Sequence, residues 1–375
     1  MRVLLVGTSN SIVRGGYRSA FEDEPSFTTF THKGIGASPS VILPYLCAEI
    51  NFRDYDYVVI DTAINDGTYH ARKWIREDQI YEYLRWVATQ ATQARCKPVF
   101  LIMPTKNGLS KRGRSEVIYH KVAAEFRASV VNGYDFVRAH QAITGSAVEN
   151  LFTDVAHLVP HVARLLGGVV IEKIKSLKSS EVETGATTAS YTALSASEMG
   201  VETHLIESSL MRVDAARLRD GDSAVVSLGA GNAIVGACFN ATKTWGYLNL
   251  AGNNAISKVV TTKYSRNGGK LLAVMFPFLT AIKPDRAGNV TVSISNVPRH
   301  EFEHHKKPPA PSGGAEVEVI GFLSRRIVGE AIKTVPRERK FAPIIARASA
   351  ILAAAHVAIT TWLLDGMTEV LSLAA

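Results

Sequence analysis

The amino-acid sequence predicts an α/β fold: a three-layer α/β/α domain with a parallel sheet, followed by an antiparallel β-sandwich domain and a C-terminal helix. Three observations lead to this prediction. In the first half, short β-rich runs alternate with helix-type runs. Beyond residue 198, β-rich runs follow one another without helices between them, and a stretch rich in Ser, Thr and Ala separates the two parts. Strands that alternate with helices form parallel sheets, whereas consecutive short strands form antiparallel ones.

The first half of the chain contains the strands and helices of a covered parallel sheet. Its predicted strands are Arg2–Gly7, Phe27–His32, Tyr57–Ala63, Pro98–Met103 and Tyr134–Val137. Its main predicted helices, in which apolar residues recur every three to four positions, are Ile75–Ala94, Ser115–Val131 and Val162–Leu177. Because crossovers between parallel strands are right-handed, we expect these helices to cover the sheet.

The composition predicts where the domains end. Residues 179–198 are expected to be a linker, because they contain few large apolar side chains. The chain is thereby divided into an α/β domain (1–178), the linker, a β-sandwich or jelly-roll-like domain (199–330) and a helical tail (331–375). The predicted strands of the β domain are Ala224–Leu228, Ala233–Phe239, Trp245–Leu250, Lys258–Tyr264, Leu271–Phe278, Asn289–Ser295 and Glu316–Phe322.

Charge and cysteine content limit the classes of partner and compartment. With 42 Lys and Arg against 34 Asp and Glu, the formal net charge is +8, which favours an anionic partner. The sequence lacks the basic, aromatic-rich patterns of nucleic-acid modules, so no nucleic-acid partner is expected. Its 3 cysteines are scattered, which is typical of a reducing compartment. The N-terminal apolar run is shorter than a signal peptide requires, so we expect a cytoplasmic protein.

Two other segments have alternative interpretations. His300–His304 fits the H-E-x-x-H zinc motif, which binds metal only on a helix. Prolines flank it here, so we expect a solvated loop, with no metal and no cofactor. Phe341–Ala375 is long and apolar, but charged residues interrupt it, unlike a spanning helix. We expect it to pack on the protein. Contact with a membrane surface is a less favoured alternative, and the oligomeric state is left open.

Polar residues that could carry chemistry follow the predicted parallel strands. Ser9 follows the first strand, Gly36 the second and Asn65 the third, while Asp154 and His157 stand near the end of the domain. Active sites of open α/β sheets lie beyond the carboxyl ends of the strands. Each residue alone is ordinary turn or helix-cap chemistry, and it is their combination in this order that points to a site.

The four segments Gly7–Ser11, Gly34–Ser38, Ala63–Gly67 and Thr153–His157 resemble the four blocks of the SGNH hydrolases, or GDSL-like esterases. The resemblance covers residues 1–178 and implies a flavodoxin-like sheet and a serine hydrolase. It makes Ser9 the nucleophile, with Asp154 and His157 completing a catalytic triad. It also makes Gly36 and Asn65 donors of an oxyanion hole.

These residue types suit that chemistry. A serine hydroxyl becomes nucleophilic when a base takes its proton, which His157 could do while Asp154 orients the imidazole. The oxyanion that forms needs preorganised donors, for which the amides of Ser9 and Gly36 and the side chain of Asn65 are candidates. The sequence departs from the family at Thr8 and Ala63, and the donor of the second block could also be the amide of Ala37.

A basic loop follows the fourth strand at the same edge of the sheet. Its residues Lys111 and Arg112, with Lys106 and Arg114, are candidates for contacting an anionic substrate, against the alternative of a solvated surface.

The sequence therefore predicts a serine-dependent ester hydrolase or O-acyltransferase that acts on an acylated small molecule or glycan. The alternative is a non-catalytic module that binds glycan or protein. In that case Trp245, Tyr247 and Tyr264 are candidates for stacking on sugar rings, against the more common role of strand aromatic residues in the core.

Overall fold

A five-stranded parallel sheet forms the centre of the first half of the chain in this computed structural model. Its strands are β1 (Arg2–Gly7), β2 (Thr29–Gly34), β3 (Tyr57–Asp61), β4 (Lys97–Ile102) and β5 (Ser129–Asn132), in the order β2-β1-β3-β4-β5. Gly34, Gly7 and Asp61 are neighbours in register, so the loops after three strands start side by side. The structure describes residues 1–110, 113–177, 189–208, 211–260, 271–301, 303 and 314–326.

Helices cover both faces of this sheet. They are α1 (Ser9–Ile12), α2 (Tyr17–Glu22), α3 (Ile42–Cys47), α4 (Ala63–Ala71), α5 (Glu77–Gln93), α6 (Arg114–Glu125), α7 (Gly133–Thr144), α8 (Val148–Leu151) and α9 (Pro160–Ser176). Alternate residues of β1 enter two separate cores: Leu4 packs with α5 on one face, and Leu5 packs with α9 on the other. The predicted three-layer α/β/α arrangement is confirmed. Every helix in the described part of the chain is too short or too polar to cross a membrane.

Two antiparallel sheets form the second part of the chain. The strands are β6 (Ser190–Ser195), β7 (Thr203–Glu207), β8 (Arg212–Arg219), β9 (Ser223–Ser227), β10 (Asn232–Asn240), β11 (Tyr247–Ala251), β12 (Ala255–Val259), β13 (Ala273–Ile282), β14 (Asn289–Ser295) and β15 (Glu316–Arg326). One sheet has the order β13-β10-β15-β8-β7 with β6 paired to β15, and the other has the order β12-β11-β14-β9. The antiparallel β architecture is therefore confirmed. We call residues 1–177 the α/β region and residues 189–326 the β region.

The fifth parallel strand lies earlier than predicted. Tyr134–Val137 belong to helix α7, and the strand is Ser129–Asn132, of which all but the last residue fall in the predicted helix Ser115–Val131. The side chain of Asn132 accepts a hydrogen bond from the Tyr134 amide at 2.9 Å and so begins the helix. A capping residue outweighs the β propensity of the aromatic residues that follow it.

Three strands were not expected from the sequence. β6 lies within the segment predicted as a linker, where Tyr191 and Leu194 are buried and the residues around them are small and polar. β7 and β8 likewise contain many polar residues. The helical tail 331–375 and the rest of the predicted linker, 179–188, lie outside the described residues, and the domain boundaries stay predictions.

The α/β region and the β region share one continuous core. Residues of α3 and α5 pack in the same buried cluster as β10, β13 and β15. Phe276 of β13 lies against Tyr69, with ring centroids 5.6 Å apart, and the Gln79 side chain donates to the Phe278 carbonyl oxygen at 2.7 Å. The β region therefore lies directly against the helices that follow β2 and β3.

Candidate active site

Ser9 is the first residue of α1 and follows β1 after a tight turn. The turn requires glycine at position 7, because a Cβ there would lie 2.7 Å from Ser11 Oγ. Ser9 itself is half-buried at the carboxyl edge of the sheet. The geometry places its hydroxyl at the start of a helix, where a nucleophile is accessible.

Ser9, His157 and Asp154 form a hydrogen-bonded series. His157 Nε2 lies 2.9 Å from Ser9 Oγ, and His157 Nδ1 lies 2.9 Å from Asp154 Oδ2. The side chains of Asp154 and His157 are 56% and 24% exposed, so the series borders solvent. At these distances the His157 imidazole can take the serine proton while the Asp154 carboxylate orients the imidazole.

Asp154 is held in its ionised form by its hydrogen bonds. Partial burial raises the pKa of this carboxyl, but the Ala156 amide, at 2.7 Å from Oδ1, and the His157 ring together bring the pKa below its usual value. The His157 amide donates to the same oxygen at 2.9 Å. An ionised carboxylate at Nδ1 favours the tautomer with Nε2 free to accept the serine proton.

The loop that carries Asp154 and His157 is attached to the rest of the edge at two points. The side chain of Asn10 donates to the Ala156 carbonyl oxygen at 3.2 Å, and the Lys106 amide donates to the Val155 carbonyl oxygen at 2.9 Å. Asn10 is buried and directly follows Ser9. It thus connects the nucleophile's helix to the base.

Asn65 lies in the first turn of α4, at the same edge. Its Nδ2 atom is buried and has no hydrogen-bond partner among the described residues. A buried donor without a partner is unfavourable by about 1–3 kcal/mol, so native proteins keep few of them without a reason. An amide held ready for an oxyanion is such a reason.

Asp66, next to Asn65, holds the start of α4 in place. Its carboxylate accepts hydrogen bonds from the Ser40 amide at 2.7 Å, the Tyr119 hydroxyl at 2.8 Å and the Thr62 hydroxyl at 3.1 Å. Burial raises the pKa of Asp66 to about 6, against the lowering effect of these bonds. The residue links the loop after β2 to the helix that carries Asn65.

Gly36 lies in the loop after β2, and no hydrogen bond from its amide is found in the described part of the chain. The adjacent Ala37 has φ of 51°, in the left-handed region that is unfavourable for a residue with a Cβ. The amides of Gly36 and Ala37 both stay candidates for the oxyanion donor that the sequence segment Gly34–Ser38 is expected to supply.

The described residues of the basic loop give little support to the prediction that this loop contacts an anionic substrate. Lys106 Nζ lies 3.7 Å from a Glu149 carboxylate oxygen, and Arg114 lies 2.9 Å from Glu77. Lys111 and Arg112 lie outside the described residues. The two described cations thus have acidic partners, and substrate contact by this loop stays a prediction.

The alternative sites take other roles in the structure. Ser257 exchanges backbone hydrogen bonds with Glu301 and Glu303, at 2.9 and 3.2 Å, so this part of the H-E-x-x-H segment is extended rather than helical. Within the described ranges, no cluster of His, Cys, Asp and Glu suits a metal ion. Tyr247 is 5% exposed, which leaves little ring surface for a sugar, and Tyr264 lies outside the described residues.

Sequence reasoning missed three residues that support the candidate site. Asn10 and Asp66 are each adjacent to a predicted site residue, and that adjacency was the available signal. Ser38 is a buried residue of the loop that carries Gly36, and it bonds to a residue 237 positions away. A contact between residues so far apart in the chain cannot be predicted from a local sequence pattern.

Comparison with known proteins gives the fold. No family model matches the sequence, and no curated protein matches it. A two-domain esterase active on acetylated mannans is similar in structure, with a TM-score of 0.59 and 13% identity over 88% of this chain and 92% of that one. The chain shares this two-domain fold. The structure of such an esterase co-crystallized with mannopentaose gives a TM-score of 0.60, again with 13% identity, 88% of this chain and 92% of that chain.

A shorter protein matches part of the chain. An acetyl xylan esterase covers 46% of this chain and 100% of its own, with 16% identity and a TM-score of 0.40. The match to the mannan esterase covers 88% of this chain and therefore extends over both the α/β region and the β region.

Proposed function

We propose that this protein is a serine-dependent ester hydrolase or O-acyltransferase that removes or transfers an acyl group, such as acetyl, on a carbohydrate. The observation that carries the proposal is the series Ser9–His157–Asp154, with 2.9 Å between His157 Nε2 and Ser9 Oγ. The unpartnered Nδ2 of Asn65 supports it independently, because an oxyanion would satisfy that atom.

In the first half of the reaction, Ser9 Oγ attacks the carbonyl carbon of the ester while its proton passes to His157 Nε2. The carbonyl oxygen becomes an oxyanion, which Asn65 Nδ2 and the amides of Ser9 and Gly36 would stabilise. When the intermediate collapses, the bond to the sugar oxygen breaks, and that oxygen takes the proton from His157. An acyl group remains on Ser9.

In the second half, a hydroxyl compound attacks the acyl group and His157 takes its proton. Collapse of the second intermediate releases the acyl product and returns the proton to Ser9. Water as the attacking compound gives hydrolysis, and a sugar hydroxyl gives transfer. Asp154 stabilises the imidazolium in both halves, and its lowered pKa keeps it ionised for that purpose.

The carbohydrate part of the proposal comes from the shared fold. The structurally similar two-domain esterase is described as active on acetylated mannans and was co-crystallized with mannopentaose. We therefore propose an acetylated glycan as the substrate class. A cytoplasmic location stays a prediction.

The test is acetate release from acetylated manno-oligosaccharides and from p-nitrophenyl acetate, combined with labelling by a fluorophosphonate probe. We expect release from at least one substrate and a single labelled peptide that contains Ser9. Labelling at another serine, or neither acetate release nor acetyl transfer to an added sugar acceptor, contradicts the proposal.

A further inference from the structure

The loop that carries Gly36 is held from the β region by Ser38. The Ser38 side chain is fully buried. Its hydroxyl donates to the Gly36 carbonyl oxygen at 3.0 Å and accepts a hydrogen bond from the Met275 amide at 2.9 Å. Met275 belongs to β13, so one hydroxyl joins a strand of the β region to the loop after β2.

The carbonyl oxygen of Gly36 and the amide of Ala37 belong to one planar peptide group. A bond that fixes the direction of the carbonyl therefore fixes the direction of the Ala37 N–H as well. It also limits the rotation of Gly36, whose own amide is the other candidate donor. Ser38 thus determines how both candidate amides of this loop are oriented.

A side chain of the β region packs against the same glycine. A Cβ on Gly36 would lie 3.1 Å from Leu272 Cδ1, so Leu272 fills the space behind it. Leu272 is itself fixed at its backbone, since its amide donates to Asn240 Oδ1 at 3.1 Å and its carbonyl oxygen accepts from the Ala241 amide at 2.7 Å.

The far end of the loop is attached to the helix of the other candidate donor. The Ser40 amide donates to Asp66 Oδ1 at 2.7 Å, and Asp66 is adjacent to Asn65. The segment from Gly36 to Ser40 therefore connects the candidate donor of this loop to the helix that carries Asn65. Its position depends on β13 at one end and on α4 at the other.

We propose that the β region positions the backbone oxyanion donor of the loop after β2, through the Met275 amide, the Ser38 hydroxyl and the Gly36 carbonyl, with Leu272 as the packing support. Ser38 is a positioning residue in this reaction and does not touch substrate. The inference rests on the proposed function. It assigns the β region a part in the chemical step, separate from any contact that this region makes with a glycan.

The expected effect of losing Ser38 is on kcat. Displacement of reacting groups by about 1 Å can lower a rate ~100-fold, and complete loss of one oxyanion donor lowers it ~10²–10³-fold. Since Ser38→Ala leaves the donor present but less well fixed, we expect kcat to fall ~10- to 100-fold. KM should change little, because the oxyanion exists only in the transition state and intermediates.

The experiment compares Ser38→Ala with Gln79→Leu. Gln79 also donates a hydrogen bond to β13, at the Phe278 carbonyl oxygen, but it lies on α5 and away from the Gly36 loop. Both variants lose a buried hydrogen bond between the two regions, so both should lower Tm. We expect only Ser38→Ala to lower kcat and to weaken inhibition by a boronic acid, whose adduct with serine occupies the oxyanion hole.

Each outcome has one meaning. If Ser38→Ala retains kcat within about twofold of wild type, or if both variants lose kcat equally, the inference is wrong while the proposed function stands. If Ser38→Ala does not fold, Leu272→Ala decides, because it keeps every backbone bond and should still lower kcat more than Gln79→Leu does. A wild-type protein inert on acetyl esters overturns the proposed function, and the inference with it.

Discussion

The two halves of the candidate site are built in different ways. The nucleophile half consists of Ser9, His157 and Asp154, and its base and acid belong to one short loop whose side chains reach solvent. The donor half consists of Gly36 and Asn65, and the residues that fix it, Ser38 and Asp66, are fully buried.

This difference in burial predicts which substitutions lower activity alone and which also lower the stability of the fold. Water can replace the hydrogen bonds of an exposed side chain, so changes in the nucleophile half should remove activity with little effect on folding. Changes in the donor half disturb buried bonds, so most should lower activity and stability together. Asn65 is the exception in the donor half, since its Nδ2 has no bond to lose.

The largest effect is expected for Ser9→Ala. Loss of the nucleophile should lower kcat by at least ~10⁴-fold, since the remaining groups cannot form the acyl intermediate. Tm should stay near the wild-type value, because Ser9 is half-buried and contributes little packing. Steady-state assays and a thermal melt measure both, with Ser110→Ala as a control at an exposed serine of the same edge. Activity retained in Ser9→Ala would exclude this serine as the nucleophile.

Asp154→Asn should follow in size. The variant keeps an acceptor for the amide hydrogen bonds but loses the charge that fixes the His157 tautomer, and kcat should fall ~10²–10⁴-fold. The exposure of Asp154 predicts an almost unchanged Tm. A large drop in Tm with little loss of kcat would show that the carboxylate serves the loop rather than the base, and would break the contrast between the halves.

Asn65→Ala should lower activity without lowering stability, unlike the other substitutions in the donor half. We expect kcat to fall ~10²–10³-fold, as for other oxyanion donors. Tm should stay constant or rise, since the variant removes a buried donor without a partner. The control is Asn10→Ala, which loses the 3.2 Å bond to Ala156 and should lower Tm. A lower Tm in Asn65→Ala would mean that Nδ2 has a structural partner.

The sequence points to the residues of the nucleophile half and to Asn65, but not to the contacts that fix the Gly36 loop, and the reason is physical. Ser9 and Asn65 follow strands β1 and β3, where the parallel sheet must bring loops together. The loop of Asp154 and His157 follows helix α8 instead and is joined to this edge through Asn10. The bond between Ser38 and Met275 depends instead on how the β region packs against the α/β region. Packing between distant segments leaves no local pattern.

The same reason explains the outcome for the fold. The buried strands β1, β3 and β4 contain continuous apolar runs, and such runs predict strands directly from the sequence. β6 was missed because few of its side chains are large and apolar. The Tyr134–Val137 run was misassigned because β propensity was weighed without the cap at Asn132.

Asp66→Asn tests whether the donor half is coupled to stability. The carboxylate accepts from three groups, and an amide in its place must present an NH₂ to at least one donor. We expect a loss of about 1–3 kcal/mol in unfolding free energy by chemical denaturation, together with a moderate fall in kcat. A variant with wild-type kcat and lower stability would show that α4 holds Asn65 without this residue.

The smallest effect on activity should come from Asp61, at the end of β3 and beside Gly7 in the sheet. Its carboxylate accepts from the Tyr17 hydroxyl at 2.8 Å, and burial raises its pKa to about 7 despite that bond. A carboxyl whose pKa is higher in the folded state than in the unfolded state stabilises the fold below the unfolded value, which is about 4, and loses that contribution as pH rises to about 7. Asp61→Asn has no such titration. The unfolding free energy of wild type relative to this variant should therefore decrease between about pH 4 and 7 and stay level above.

Asp56, at the other end of β3, is the matched control with the opposite sign. Burial raises its pKa, but Arg2, at 2.8 and 2.9 Å from the carboxylate, brings it below the usual value. The wild type should therefore gain stability relative to Asp56→Asn as pH rises through the acid range. Because every other titrating group is common to the proteins compared, the two differences isolate these two carboxyls. If the Asp61 difference rises with pH as the Asp56 difference does, the Asp61 carboxyl is ionised in the folded protein, and burial does not raise its pKa.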